Sequence, residues 1–242
     1  MPSLTGALRR LRRGLSGAPR RSVIEQLLHV HSRRWQVFEA AVEYINYEGV
    51  PGDILEFGVF TGSSLALLAK AHSFDPKGME RRVAGFDSFR GLPPSTEEHG
   101  RWQPGDCATN HSWHPLLPVG APVTPQVTLD LFEACGLPRP EIEDGPFEVT
   151  ITRTLPTKYP KVALVHVDCD LYESTRTVLD GIVSVLQDGA VVLFDDWFHY
   201  KGNPNKGEAR AFHELLETHP EWGAVQYRAY ATFCNSFILY RR

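Results

Sequence analysis

Short apolar runs alternate with helix-type segments along most of this chain of 242 residues, and several runs lead directly into acidic residues. Apolar runs of about four to eight residues between turn-forming residues are typical of strands that are buried on both faces. When such strands alternate with helices, the sheet is usually parallel with helices on both faces. The predicted strands are Ile54–Phe57, Val83–Phe86, Phe147–Ile151, Val162–Val167 and Ala190–Phe194. The pattern therefore predicts an α/β fold.

The other periodic segments predict helices and one C-terminal pair of strands. Apolar residues at steps of three and four indicate a helix, and glycine or proline beyond the last of them indicates its end. Gln226–Tyr230 and Phe237–Tyr240 are expected to form an antiparallel pair. The predicted helices are Val23–Tyr47, Ser63–Ala71, Leu129–Cys135, Thr175–Leu186 and Gly207–Thr218.

Charge is distributed unevenly, although the net charge is only −4. Six arginines precede the first acidic residue, Glu25, and the rest of the chain has 19 basic against 29 acidic residues. So mild a net charge does not indicate a nucleic-acid partner. We expect residues 1–22 to form a flexible basic arm without a specific function, and residues 23–242 to form one domain.

The cysteines indicate neither a zinc site nor a disulfide framework, because no two of them form a Cys-x-x-Cys pair. Free thiols are typical of a reducing compartment, so we expect a cytoplasmic protein. The longest stretch without charged residues, 108–129, contains four prolines and is not expected to cross a membrane. The four cysteines are Cys107, Cys135, Cys169 and Cys234.

A long proline-rich segment, Ser88–Asp130, follows the second predicted strand. Its 43 residues contain seven of the chain's 18 prolines and little periodicity. Connections in compact domains are usually much shorter, so we expect a lid that closes over a bound substrate. We expect its histidines, His99, His111 and His114, to be solvated.

A glycine-containing turn after the first predicted strand is a candidate ligand site. Gly58–Gly62 matches neither a dinucleotide fingerprint nor a phosphate loop, but its small residues let a ligand approach the backbone and the next helix. Asp87 follows the second predicted strand, where a carboxylate can accept both hydroxyls of a ribose. Both positions belong to the carboxyl edge of the predicted sheet, where ligands bind in open α/β folds.

Two further strands each lead directly into a pair of carboxylates, Asp168 with Asp170 and Asp195 with Asp196. We find no basic residue beside them in the sequence, so either some of these acids are protonated or a cation joins them. Oxygen ligands favour Mg²⁺, Mn²⁺ or Ca²⁺ over zinc. The alternative is that these acids are helix caps and solvated strand ends. His166 is expected to form a hydrogen bond within the core.

Four motifs occur together in the order found in one known enzyme family. They are Ile54–Ser64, Gly85–Pro93, His166–Thr175 and Phe194–Trp197. In these motifs the chain resembles the macrocin O-methyltransferase family, whose members use S-adenosylmethionine and Mg²⁺ and mostly methylate sugar hydroxyls. The resemblance implies a Rossmann-like class I methyltransferase fold. Its mostly parallel seven-stranded sheet would have helices on both faces and an antiparallel C-terminal strand.

The resemblance also implies a role for each matching residue. Asp168, Asp195 and Asp196 would hold Mg²⁺, Asp170 would act as the general base, and His199 would be a second catalytic residue. The chain departs from its relatives at Arg153, where an acidic residue is common, and in the longer loop Lys201–Glu208. The residues implied to contact S-adenosylmethionine are Glu56, Gly58, Val59, Thr61, Gly62, Ser63, Asp87, Ser88 and Asp168.

The acceptor implied by the resemblance is a saccharide or glycoside, either a glycosylated natural product or an oligosaccharide or polysaccharide precursor. Related enzymes commonly form homodimers or larger homo-oligomers, so we expect the same here. Three alternatives remain open: a metal-dependent glycosyltransferase that holds a nucleotide sugar through Asp168 and Asp170, an O-methyltransferase for a catechol-type diol, and a catalytically silent binding domain. The order of the motifs favours methyl transfer over glycosyl transfer.

Overall fold

The computed structural model of the chain describes residues 21–74, 80–96 and 102–242. Within these ranges the chain forms one seven-stranded sheet. The strands are β1 (Asp53–Phe57), β2 (Val83–Asp87), β3 (Glu141–Asp144), β4 (Val162–Val167), β5 (Leu186–Phe194), β6 (Trp222–Tyr230) and β7 (Cys234–Arg241). The helices are α1 (Val23–Val30), α2 (Ser32–Tyr47), α3 (Ser63–His72), α4 (Pro125–Cys135), α5 (Phe147–Thr154), α6 (Tyr172–Ile182) and α7 (Gly207–Thr218).

The strand order is β3-β2-β1-β4-β5-β7-β6, and the first five strands are parallel. Only β7 is reversed: it pairs in the antiparallel sense with β5 on one side and with β6 on the other, so β6 runs in the same direction as the first five strands. The predicted α/β fold, with a mostly parallel seven-stranded sheet and an antiparallel C-terminal pair, is therefore confirmed. The order reverses between β1 and β4, and in open α/β sheets the carboxyl ends beside such a switch point form the ligand crevice.

Both faces of the central strands are covered by helices, which explains their continuous apolar sequences. Every residue of β1 and β4 is buried. On one face the core includes Ile151 of α5, Val178 of α6 and Phe212 of α7. On the other face it includes Phe38 of α2 and Leu65 of α3. A strand that is buried on both faces carries apolar side chains on both sides, so its sequence is one apolar run rather than an alternation of apolar and polar residues.

The predicted single helix Val23–Tyr47 is two helices, which break at His31, where φ is −101° and ψ is 29°. The regular spacing of apolar residues is interrupted around His31, so the apolar faces of the two helices are not continuous. A capping box between Ser22 and Glu25 starts α1. Ser22, which the prediction included in the basic arm, is thus the N-cap of α1, and residues 1–20 of the predicted arm lie outside the described residues.

The prediction of a strand over Phe147–Ile151 is wrong, because these residues form α5. Their β-branched side chains favour a strand, but Thr150, Ile151 and Thr154 are buried together at the spacing of one helix face. The sheet position is taken by β3, which sequence analysis missed. This strand is only four residues long and has three acidic residues.

Several other boundaries move by a few residues. Helix α6 ends at Ile182 rather than at Leu186, which begins β5, and α4 begins at Pro125, four residues before the predicted start. The prediction of α7 as Gly207–Thr218 is confirmed. All four cysteines are free, as expected. Among the described residues, no helix is long and apolar enough to span a membrane.

Candidate functional site

The predicted site residues meet at the carboxyl edge of the sheet because the backbone ladder continues past the strand ends. The Asp168 amide donates to the Phe57 carbonyl at 2.9 Å, and the Asp195 amide donates to the Val167 carbonyl at 3.0 Å. The residues that directly follow β1, β4 and β5 are thereby fixed side by side. A positive φ of 59° at Asp170 then turns the chain away from β4.

Asp87 fixes the turn between β1 and α3. Its Oδ2 accepts hydrogen bonds from the backbone N–H groups of Val59 and Phe60, both at 2.8 Å. Its Oδ1 accepts a third bond from the Phe89 amide at 2.7 Å. The carboxylate that sequence analysis assigned to a ribose therefore also determines the shape of the glycine turn, and β2 and the turn are tied together.

Glycine is required at the start of this turn. Gly58 has a φ of +89°, and a Cβ there would lie 1.8 Å from the Asp168 carbonyl oxygen. Gly62, with a φ of +84°, precedes α3, and no side chain caps this helix. An uncapped helix N-terminus presents backbone N–H groups and a partial positive charge to an anion. The methionine carboxylate of S-adenosylmethionine fits this chemistry, and Thr61 and Ser63 lie beside it with their hydroxyls 3.5 Å apart.

Glu56 lies below the turn, within the sheet. It is fully buried, and its Oε1 lies 2.8 Å from His166 Nδ1. The predicted hydrogen bond of His166 in the core is confirmed. Glu56 has no exposed surface, and the cofactor contact that the resemblance implies for it stays a prediction. Val59 is also buried, and its amide and carbonyl already form hydrogen bonds with Asp87 and with the Gly62 amide.

Asp195 is surrounded by hydrogen-bond donors. Arg34 of α2 donates to it from Nε at 2.8 Å and from Nη2, and the Cys234 thiol donates at 3.2 Å. His166 Nε2 lies 3.8 Å from the same carboxylate. Burial alone would raise the pKa of Asp195, but His166 and Arg34 lower it well below its usual range. The expectation that no basic residue accompanies the acids is therefore wrong.

The other three aspartates are not neutralised in this way. Burial and the negative charges of neighbouring carboxylates raise the pKa of Asp168 and of Asp170, and they raise the pKa of Asp196 to about 7. Asp196 Oδ2 is buried and has no hydrogen-bond partner among the described residues. Oxygen atoms that are buried together without donors fit a hard divalent cation. Ligand atoms of His166, Asp168 and Asp195 also lie within 4.8 Å of one another.

Glu208 is a member of the acid cluster that sequence analysis missed. It lies in the first turn of α7, is only 1% exposed, and its Oε2 accepts a hydrogen bond from the Asp196 amide at 2.9 Å. Burial and the charge of Asp196 raise its pKa well above the usual range. No sequence motif marks this residue, because the contact depends on how α7 packs on the sheet.

His199 lies beside this cluster, as sequence analysis expected. Its Nδ1 is 3.2 Å from Asp196 Oδ1. The Phe233 ring lies 4.4 Å from the imidazole, and the Trp102 ring lies 6.3 Å away. His199 is only 9% exposed. The aromatic side chains therefore separate this part of the cluster from solvent.

The proline-rich loop contacts the site at two places. At its start, Glu173 of α6 accepts hydrogen bonds from the Ser95 hydroxyl and from the amide and hydroxyl of Thr96. Further along, the His111 ring stacks on Phe60 of the glycine turn with centroids 4.9 Å apart. The loop is thus attached both to the motif that contains the acids and to the turn.

The histidines of the loop differ in their environment. The expectation that His114 is solvated is wrong, because the residue is buried. Its Nδ1 accepts hydrogen bonds from the amides of Leu116 and Leu117. His111 is exposed on its outer side. His99 lies outside the described residues.

A cavity of about 210 Å³ lies between the loop and the residue that follows Asp170. Trp102 belongs both to its wall and to the aromatic surroundings of His199. The lining of the cavity mixes apolar and polar groups, because Ser95 and Gln103 also belong to it. Most of its lining is contributed by Leu92, Pro93, Pro94, Trp102, Pro104 and Leu171.

Known proteins with similar sequences are O-methyltransferases. The model of the macrocin-O-methyltransferase (TylF) family matches residues 26–218. A 4′-O-methyltransferase from Streptomyces olivaceus that acts on 8-demethyl-8-(2,3-dimethoxy-α-L-rhamnosyl)-tetracenomycin C is 29% identical over 68% of the chain. The mycinamicin III 3″-O-methyltransferase from Micromonospora griseorubida is 28% identical over 68% of the chain. The matched region spans only 60% and 63% of these two relatives.

Two solved structures share the fold. The O-methyltransferase NovP is 22% identical with a TM-score of 0.64, and the match covers 86% of this chain and 80% of NovP. The calicheamicin methyltransferase CalS11 is 24% identical with a TM-score of 0.62, and the match covers 100% of this chain and 93% of CalS11. These similarities establish a class I O-methyltransferase fold.

Proposed function

The chain belongs to the macrocin O-methyltransferase family, and on that premise we propose that it transfers a methyl group from S-adenosylmethionine to a sugar hydroxyl with the help of Mg²⁺. The observation that best supports this proposal is that the glycine turn and the aspartate cluster lie side by side at one edge of the sheet. The glycine turn and the aspartate cluster share a direct backbone contact, between Gly58 and Asp168. A cofactor on the turn and an acceptor at the aspartates would therefore be neighbours.

The turn is proposed to bind the cofactor chiefly through its backbone. The uncapped N-terminus of α3 would receive the methionine carboxylate, with Thr61, Gly62 and Ser63 around it. Asp87 has one lone-pair site, on Oδ1, beyond the three used by its amide donors, and this site would accept one ribose hydroxyl, with Ser88 beside it. Asp168, which follows β4 on the other side of the turn, would face the methionine amino group.

The divalent cation is proposed to bind Asp168, Asp195 and Asp196. Asp168 has no ion-pair partner among the described residues, and Asp196, which His199 contacts through Oδ1, has a second oxygen without a donor. When bound, a divalent cation supplies Lewis acidity that makes a nearby hydroxyl group more acidic. Asp195 would have to be shared with Arg34, which donates to both of its oxygens.

Asp170 is proposed to accept the proton from the acceptor hydroxyl. Burial and the charges of Asp196 and Asp168 raise its pKa, so its carboxylate has a higher proton affinity than an ordinary aspartate. As the proton passes to Asp170, the hydroxyl oxygen bonds to the methyl carbon and the carbon–sulfur bond breaks. The products are a methyl ether and S-adenosylhomocysteine. His199 would hold Asp196 in place and, with Trp102 and Phe233, exclude water.

The acceptor is proposed to be a sugar on an apolar glycoside. The curated relatives are named for sugar-linked acceptors. Here, the cavity beside Leu171 combines an indole and proline rings with the polar side chains of Ser95 and Gln103, which suits a ligand that has both apolar surface and hydroxyl groups. The four free thiols support a reducing, cytoplasmic location, and we retain the expectation of a homo-oligomer.

Calorimetric titration with S-adenosylhomocysteine tests the cofactor assignment without knowledge of the acceptor. The wild-type chain should bind, and Asp87→Ala should weaken binding at least about tenfold through loss of a ribose acceptor and of the turn. Asp144→Ala is the matched control, because Asp144 is the register partner of Asp87 on β3 and is exposed. Binding of a nucleotide sugar in place of S-adenosylhomocysteine would contradict the proposal.

Methyl transfer itself is tested with rhamnosyl glycosides as acceptors and isotope-labelled S-adenosylmethionine. Activity should disappear in excess chelator and return with Mg²⁺. Asp168→Asn and Asp196→Asn should each lower the rate at least about a hundredfold. Full activity in the chelator would exclude the metal role and leave the cofactor assignment intact.

A further inference from the structure

Arg34 reaches the acid cluster from outside all the sequence motifs. It lies in the first turn of α2 and forms a bidentate pair with Asp195, in which Nε donates to Oδ1 at 2.8 Å and Nη2 donates to Oδ2. The Asp195 side chain is 8% exposed and that of Arg34 is 29% exposed. A planar guanidinium that engages both oxygens of a buried carboxylate is a strong and geometrically specific partner.

The pair leaves little of Asp195 available to another cation. Oδ1 also accepts from the Cys234 thiol at 3.2 Å and lies 3.8 Å from His166 Nε2. By contrast, no lysine or arginine of the described residues forms an ion pair with Asp168 or Asp196. The cluster therefore has one carboxylate that is already neutralised and others that are not.

We propose that Arg34 is a resident counter-ion that competes with the divalent cation for Asp195 and thereby sets the cation affinity of the site. This inference rests on the proposed function, because it takes the aspartate cluster as the metal site. A cation that uses Asp195 would have to displace Arg34 from one of the two oxygens or share that oxygen with the guanidinium. While the pair is intact, the guanidinium would also repel a second positive charge at the same place.

The arrangement has a physical advantage in the metal-free protein. Several buried carboxylates at one sheet edge repel one another, and a buried charge without a partner is strongly destabilising. Arg34 offsets one of these charges while the cation is absent. Because its side chain is partly exposed, it can move toward solvent when the cation arrives.

The test is Mn²⁺ binding, measured by electron paramagnetic resonance of free Mn²⁺ and by calorimetry, on the full chain. Arg34→Gln should bind Mn²⁺ at least about tenfold more tightly than the wild type, because one positive charge and one competitor are removed. Arg34→Lys keeps the charge and should stay close to the wild type. Adding Asp195→Asn to Arg34→Gln should abolish the gain. Unchanged or weaker binding by Arg34→Gln overturns the inference.

Arg82→Gln is the matched control. Arg82 also pairs with a buried aspartate, Asp53, at 3.2 Å, but this pair lies at the opposite end of β1. Its loss should not change Mn²⁺ affinity. An equal gain in Arg82→Gln would show a general effect of charge and would overturn a specific role for Arg34.

A measurement on the wild type covers the case in which Arg34→Gln does not fold. In protein labelled with ¹⁵N-arginine, the Arg34 Nε–H resonance should shift and lose its protection from solvent exchange when Mg²⁺ is added. An unchanged, protected resonance at saturating Mg²⁺ overturns the inference. Failure of the proposed function can be told apart from failure of this inference. If the chain does not bind S-adenosylhomocysteine, the role proposed for the turn is wrong. If wild type and Arg34→Gln bind Mn²⁺ equally, only the role proposed for Arg34 is wrong.

Discussion

His166 Nδ1 lies 2.8 Å from Glu56 Oε1, and the two residues are register partners on the adjacent strands β4 and β1. Both side chains are fully buried, and the Phe38 ring packs edge-on against the imidazole with centroids 5.0 Å apart. Burial would lower the pKa of His166, but Asp195 and Glu56 raise it to about 10. These carboxylates therefore favour the protonated imidazole, which joins the sheet interior to the acid cluster.

Glu56→Gln should destabilise the fold strongly. The amide keeps the shape of the carboxylate but leaves the charge of His166 without its strand partner, and breaking a buried pair in this way costs about 3–5 kcal/mol. The free energy of unfolding in urea measures the loss. Glu39→Gln, on the exposed side of α2, is the control and should change stability by less than about 0.5 kcal/mol. A loss below about 1 kcal/mol in Glu56→Gln would contradict a charged pair.

Alanine substitutions at two glycines separate close packing from backbone conformation. Gly58 and Gly120 have similar positive φ values, +89° and +85°, so alanine is strained at both, by about 1–2 kcal/mol. Only at Gly58 would the new Cβ meet a neighbour, the Asp168 carbonyl oxygen at 1.8 Å, whereas nothing lies within 4 Å at Gly120.

We expect Gly58→Ala to lower the melting temperature much more than Gly120→Ala and to abolish S-adenosylhomocysteine binding, because the turn must move away from β4. Gly120→Ala should bind like the wild type. Thermal melts and calorimetry on both variants measure these effects. Similar melting temperatures in the two variants would show that the contact between the turn and β4 is not rigid.

The acids at the strand ends were predictable from the sequence, because each of them directly follows the strand that positions it. Asp168 and Asp195 each directly follow an apolar run, and parallel strands bring such positions to one edge. Arg34 was not predictable, since it is 161 positions from Asp195 and belongs to a helix whose periodicity concerns only its own packing face. Its contact depends on how α2 packs on the sheet, which no local pattern encodes.

Helix α5 and strand β3 show a second limit. Val149, Thr150 and Ile151 have β-branched side chains, which local propensity assigns to a strand, but burial of one helix face decides their structure. In β3, Glu143 is an acidic residue that is buried because three side chains donate to it. A strand with so much charge has no apolar pattern to reveal it.

Glu173→Gln should release the start of the proline-rich loop. The carboxylate accepts three hydrogen bonds from Ser95 and Thr96, which outweigh burial and lower the pKa of Glu173 to about 2. The amide has one acceptor oxygen fewer and carries no charge, so cleavage near Thr96 in limited proteolysis should be several-fold faster. Glu148→Gln, on α5 and exposed, is the control. Equal cleavage rates would show that the loop is held elsewhere.

Glu143 should make the stability of the sheet edge depend on pH. Lys158 Nζ donates to it at 2.7 Å, while Arg153 Nη2 and the Tyr159 hydroxyl donate at 3.0 Å. Burial alone would raise the pKa of Glu143, but these donors lower it below its ordinary value. Arg153 thus has a partner on β3.

Because the pKa of Glu143 is lower in the folded state than in the unfolded state, its contribution to stability is complete above the unfolded value of about 4.5. It is lost as the pH falls through the folded value. Urea unfolding between pH 6 and pH 3 should therefore show a steeper acid loss of stability in the wild type than in Glu143→Gln. Glu133→Gln, at an exposed position of α4, should keep the wild-type slope. Parallel curves for the wild type and Glu143→Gln would mean that the three donors do not stabilise the charged carboxylate.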